Sequence, residues 1–210
     1  MHGIKVHRTP HYNTDMKTDS SSPQQAASHA EIIDATRIWL ERAVIGLNLC
    51  PFAKAVHVKQ QIRYVVSEAA DTDGLLAELD RELALLQTTD PAGTDTTLLI
   101  LPTLLQDFLD YNDFLDLADL QIDAAGLRGE LQIASFHPDY QFAGTNPDAI
   151  ENFTNRSPYP ILHLLREASI DRAVAAFPEA EDIFERNIDT LRTLGHAGWH
   201  ALMQAPPGEN

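Results

Sequence analysis

The feature that most constrains this chain is an alternation. Three short segments of strand character, Gln61–Ser67, Thr96–Leu101 and Glu130–Phe136, are separated by two stretches with helical spacing of apolar residues. The first stretch runs from Leu75 to Leu86, with Asp71 and Asp73 in its capping region. The second runs from Asp107 to Ala125 and is ended by Gly126. Thr96–Leu101 is continuously apolar after its threonines, which predicts a strand buried on both faces. A β-α-β-α-β order favours parallel pairing through right-handed crossovers. The expected fold is therefore α/β, with a small three-stranded parallel sheet. Three strands do not fix direction, so an antiparallel α+β arrangement is the alternative.

Helical spacing also precedes and follows this unit. Ile32, Ile33, Thr36, Trp39, Leu40, Ala43, Val44 and Leu47 predict an N-terminal helix starting at His29. Two C-terminal helices are predicted, over Pro158–Ala176 and Glu179–Leu202. Residues 1–28 are polar and aperiodic and read as a disordered extension, 29–203 as one globular domain, and 204–210 as a flexible tail. The opening sequence has no apolar signal region, and the chain has one cysteine, which excludes an internal disulfide. A cytoplasmic location is expected. Fifteen Lys+Arg against 31 Asp+Glu give a formal charge of −16, which disfavours nucleic acid and anionic membranes as partners.

Ligands of open α/β sheets bind outside the carboxyl ends of the strands. Here that places His137 on a strand end as a candidate acid/base, followed by Asp139 and Tyr140. Asn155, Arg156 and Ser157 precede the predicted helix at Pro158, and a guanidinium beside a helix start would hold a carboxylate or phosphate. Cys50, followed by Pro51, reads as a nucleophile at a helix start or as a packed small hydrophobe. His163 and Glu167 stand four apart on the predicted helix and could share a transition metal such as zinc or iron, with Cys50 and His137 as further ligands. On the last helix Ile183, Phe184, Ile188, Leu191 and Leu194 face inward, and Asn187 falls on that stripe to hold a loop or a ligand, with Arg186 beside it. The twenty-residue connection from Pro138 to Ser157 is longer than a mere link requires, and Tyr140, Phe142 and Phe153 argue that it is packed.

The segments GLNLCPFA (46–53), ASFHPDYQFAGT (134–145), NRSPYPILHLLREASI (155–170) and ERNIDTLRTLGHAGW (185–199) together resemble the bacterial domain-of-unknown-function family 1415. The resemblance spans roughly Ala30–Leu202 and implies a single domain, with no activity to carry over. Three readings stand at this point. One is an enzyme acting on a small anionic metabolite through His137, Arg156 and Cys50. Another is a Cys/His metal protein. The third is a non-enzymatic interaction or regulatory module in which the same polar residues hold the fold.

Overall fold

A computed structural model describes residues 27–176 and 182–204. The proposed extension and tail lie almost wholly outside the described residues. Helix α1 (His29–Trp39) starts where expected, because Ser28 and Glu31 form a reciprocal cap. It runs directly into a π-helical stretch, Leu40–Ile45, closed by the Gly46 N–H donating to the Glu41 carbonyl at 2.9 Å. A Cβ at Gly46 would stand 2.2 Å from the Arg42 carbonyl oxygen, so the wide turn requires glycine. A short helix α2 (Ala53–Val58) follows.

The alternating unit then folds as its patterning predicts: β1 (Ile62–Val66), α3 (Thr72–Thr88), β2 (Thr96–Ile100), α4 (Phe108–Ala124) and β3 (Leu131–Phe136). Asp71 caps α3 and Asp107 caps α4, each accepting first-turn N–H bonds. A 3₁₀ turn (Ile150–Thr154), β4 (Ile161–Arg166), α5 (Glu167–Ala175) and α6 (Ile183–Gln204) complete the order.

The predicted helix over Pro158–Ala176 is corrected. Its first half is strand β4, and only Glu167–Ala175 is helical. The sheet has four strands in the order β1-β2-β4-β3 and is mixed rather than parallel. β1 pairs parallel to β2, while β4 runs antiparallel to both β2 and β3. The three expected strands still share one direction, but β4 is wedged between the second and third. The physical reason lies in β2. All five of its residues are buried, so its backbone donors and acceptors on both edges need strand partners. A six-residue segment with four apolar residues has no unique period and can satisfy either a helix or a strand; the open edge of β2 decides.

Period-two alternation sends the sheet's side chains to two helical layers. Leu99, Leu101, Leu162 and Leu164 pack under α3 and α4 with Leu79, Leu83 and Phe114. Leu98, Ile100 and Ile161 pack under α1, the π-helical stretch and α6, with Trp39, Ala43, Leu191 and Trp199. Phe184, expected to face inward on α6, is 56% exposed, although its ring meets Phe142 edge-on. The last helix also breaks at Gly195, whose φ of 63° and ψ of 173° suit only glycine.

Arg166, at the end of β4, ties this strand to the α3 layer. Its guanidinium donates to the carbonyls of Leu86, Thr89 and Thr94 at 2.5, 2.6 and 3.2 Å. One cation thus caps the C-terminus of α3 and fixes its connection to β2. Replacing Arg166 with Met keeps the apolar stem and removes the donors. We expect a loss of about 2–3 kcal/mol, measured as a lower urea midpoint with an unchanged slope; an unchanged midpoint would show the three bonds to be dispensable.

Candidate functional site

The carboxyl ends of β1, β2 and β3 lie along one edge of the sheet, and each is closed by its own hydrogen bonds. After β1, the Ser67 hydroxyl donates to the Glu78 carboxylate at 2.5 Å, which also accepts from the Glu68 N–H at 3.2 Å. After β2, the Gln106 amide donates to the carbonyls of Leu101 and Leu104, both at 3.0 Å. Leu105 is held there with φ 54°, a conformation a branched side chain rarely adopts.

His137 leaves β3 fully buried. Its Nδ1 accepts from the Asp139 N–H at 2.9 Å, which assigns the proton to Nε2 and makes Nε2 the donor to the Leu105 carbonyl at 3.1 Å. The ring lies between those of Phe108 and Tyr111, with centroids 5.4 and 5.1 Å away. Burial among these groups pushes the imidazole pKa down, opposed by the bond to Leu105. Tyr111 is itself fully buried, and its hydroxyl donates to the Ile161 carbonyl at 2.7 Å and accepts from the Phe136 N–H at 3.2 Å. It therefore links β3 to β4 at the point where the chain turns toward His137.

The segment from Pro138 to Ser157 is organised around Asn152, which is fully buried. Its Oδ1 accepts from the Phe142 N–H and the Thr145 hydroxyl at 3.1 and 2.7 Å, and its Nδ2 donates to the carbonyls of Asn146 and Pro147 at 2.8 and 3.3 Å. Arg156 donates from Nε to the Tyr140 carbonyl at 3.2 Å and from a terminal nitrogen to the Pro147 carbonyl at 2.6 Å. Its guanidinium covers the Phe153 ring at 4.4 Å. Asn155 donates to the Ser135 carbonyl at 3.1 Å, and the Ser157 hydroxyl to the Tyr159 carbonyl at 2.6 Å. Tyr140 packs between Phe108 and Phe142. No helix begins at Ser157, so the expected helix-start anion site beside Arg156 does not form, because β4 occupies that stretch.

Cys50 packs against the α1/α6 core, on the other face of the sheet from the α4 rings that enclose His137. Burial pushes the thiol pKa up, and the opposing influence of the Phe52 and Ala53 N–H groups that follow the Cys-Pro turn is the smaller one. Asn187 is buried on α6 and donates to the Leu49 carbonyl at 2.9 Å, so it holds the turn before Cys50. Arg186 beside it is half-buried. Asp139 is exposed, and its backbone N–H donates to His137 Nδ1.

His163 and Glu167 are not one turn apart on a helix. His163 is in the middle of β4, paired between Leu98 and Ala134, and Glu167 opens α5. Thr96 donates to the Leu164 carbonyl at 2.6 Å, so His163 Nε2–H donates to the Thr96 hydroxyl oxygen, also at 2.6 Å. Among the described residues, no three His, Cys, Asp or Glu side chains are placed to hold a metal ion, and Cys50, His137, His163 and Glu167 do not converge. Sequence reading missed Asn152, Tyr111 and Arg166. Tyr111 carries a usable signal, since a tyrosine on a buried helix stripe must find a partner for its hydroxyl.

His163 keeps some accessible surface, but dense apolar surroundings push its pKa down to about 4. The folded state thus holds a neutral ring where an unfolded chain, with an ordinary histidine pKa near 6.5, takes up a proton. Stability from this residue is complete above about pH 6.5 and is lost as pH falls through the window down to about 4. Wild type should lose about 2–3 kcal/mol more than His163→Gln between pH 7 and 4, read as the difference between their urea midpoints. Parallel pH profiles for the two proteins would contradict the assignment.

No described helix is long and apolar enough to cross a membrane. No curated protein and no solved structure matches the chain. Residues 31–201 match the family described as protein of unknown function (DUF1415), and that span covers the sheet, α2 to α5, most of α1 and α6, and the loop built on Asn152. The chain belongs to the DUF1415 family.

Proposed function

We propose that this domain is a non-enzymatic interaction module, whose conspicuous polar residues hold a long loop in shape rather than act on a substrate. One observation carries the reading. Both ring nitrogens of His137 are committed to backbone partners, Asp139 N–H and Leu105 carbonyl, within a buried aromatic setting. A general acid or base needs a nitrogen within reach of the proton it moves. Arg156 supports the same reading, since its donors meet the carbonyls of Tyr140 and Pro147 rather than an open anion cradle. The competing reading, an acid/base enzyme for an anionic metabolite, would require both residues to leave these partners.

The two readings diverge in solution. Thermal unfolding should be unmoved, within about 1 °C, by a panel of small carboxylates and phosphates at millimolar concentration, beyond the shift given by matched ionic strength. A saturable rise in melting temperature that vanishes in Arg156→Lys would instead support the metabolite site. Binding that raises stability must follow the ligand's concentration relative to its dissociation constant, so saturation separates it from a salt effect.

A further inference from the structure

Helix α4 presents an unusual outer face. Leu109, Leu117 and Leu120 are 70, 40 and 60% exposed, although the opposite side of the same helix is filled by Tyr111, Phe114, Ala118 and Ile122. Leu109 and Leu120 are eleven residues apart, which returns them to nearly the same angular position about 16 Å along the axis. Leu117 joins them one turn away, at three residues from Leu120. The three leucines form one outward stripe, with Asp113 and Asp116 set along it. From Leu104 to Leu127 the chain has six aspartates and no Lys, Arg or His. Asp123 pairs with the neighbouring Arg128, and among the described residues no ion pair reaches Asp113 or Asp116. Residues of α3 and of the C-terminal end of α4 also line a groove of about 360 Å³. Its lining combines apolar Leu83, Ala84, Ala124, Ala125 and Leu127 with polar Asp80, Gln87 and Gln121.

An apolar stripe rimmed by uncompensated carboxylates selects one kind of occupant. The leucines call for apolar side chains at i, i+3/i+4 and i+7 spacing. The aspartates call for Lys or Arg flanking them and disfavour acidic segments, nucleic acid and anionic bilayers. The alanines of the groove leave room for one anchoring side chain. We infer that the exposed face of α4, with the α3–α4 groove, docks a cationic amphipathic helix of a partner protein. This inference rests on the interaction-module reading and gives that module a surface and a partner chemistry.

The test uses the full chain and a fluorescein-labelled eighteen-residue peptide of Leu and Lys alone, with leucines on one helical face. Anisotropy is measured at 150 mM salt, where screening removes charge effects beyond about 8 Å. The expected result is saturable binding. It should weaken at least tenfold in the triple variant Leu109→Gln, Leu117→Gln, Leu120→Gln, and several-fold in Asp113→Asn with Asp116→Asn. All five positions are on the outer face, and circular dichroism with a urea titration confirms that the variants fold. A scrambled peptide of the same composition, lacking an apolar face, should bind at least tenfold more weakly. Glu185→Gln with Asp189→Asn, on α6, should bind like wild type.

The inference is overturned by no binding at millimolar protein, by equal binding of the scrambled peptide, or by a leucine variant that binds like wild type. Loss of binding in the α6 variant instead of the α4 variants also overturns it, while leaving an interaction module with a different surface. Failure of the module reading itself has a separate signature, the Arg156-dependent stabilisation by a small anion.

Discussion

Strand β4 holds the structure together. β2 is buried along its whole length, and its second edge is satisfied only because β4 lies against it in antiparallel register from Thr96↔Leu165 to Ile100↔Ile161. The same strand carries β3 on its other edge. Its ends then fix what surrounds the sheet. At one end Arg166 gathers the carbonyls that finish α3 and lead into β2. At the other, the Ile161 carbonyl accepts from the buried Tyr111 hydroxyl, which brings α4 against the start of the long loop. Leaving backbone groups of such a strand unpaired would cost more than most single side chains contribute.

The loop between β3 and β4 follows from that geometry. Two antiparallel neighbours in a sheet can be joined by a short turn, yet here the connection runs from His137 to Pro160. A segment of this length must bury its own polar backbone or leave it to water. It does so by internal side chains. Asn152 takes four bonds, Arg156 two and a ring face, and His137 one on each nitrogen. Residues that look catalytic in the sequence bond main-chain groups here, as secondary structure does elsewhere in the chain.

The β1-α3-β2-α4-β3 unit was legible because local signals agreed: Asp71 and Asp107 cap helices whose apolar period is clear, and Leu98–Leu101 is continuously apolar. β4 was not legible. Ile161, Leu164, Leu165 and Ala168 also satisfy a helical stripe, and the deciding factor, an unpaired edge of β2, lies over sixty residues away in the chain. The candidate site was legible as a place, and its hydrogen-bond partners were not. His137, Asn155 and Arg156 do cluster beyond the carboxyl end of β3, but their partners are main-chain groups that no spacing rule identifies. Cys50 shows the reverse: the N–H groups of its local turn favour the thiolate, and tertiary packing outweighs them and raises the thiol pKa.

The state of the His137 imidazole tests this account most directly. Nitrogen-15 chemical shifts of the ring, followed from pH 8 to 5, report which nitrogen holds the proton and whether the ring charges. The account predicts a ring protonated at Nε2 with Nδ1 bare at pH 8, which takes up a second proton only below the usual histidine range, because burial lowers its pKa and both nitrogens are already bonded. An ordinary titration near pH 6.5, or a proton on Nδ1, would contradict it and return His137 to the list of groups free to move protons.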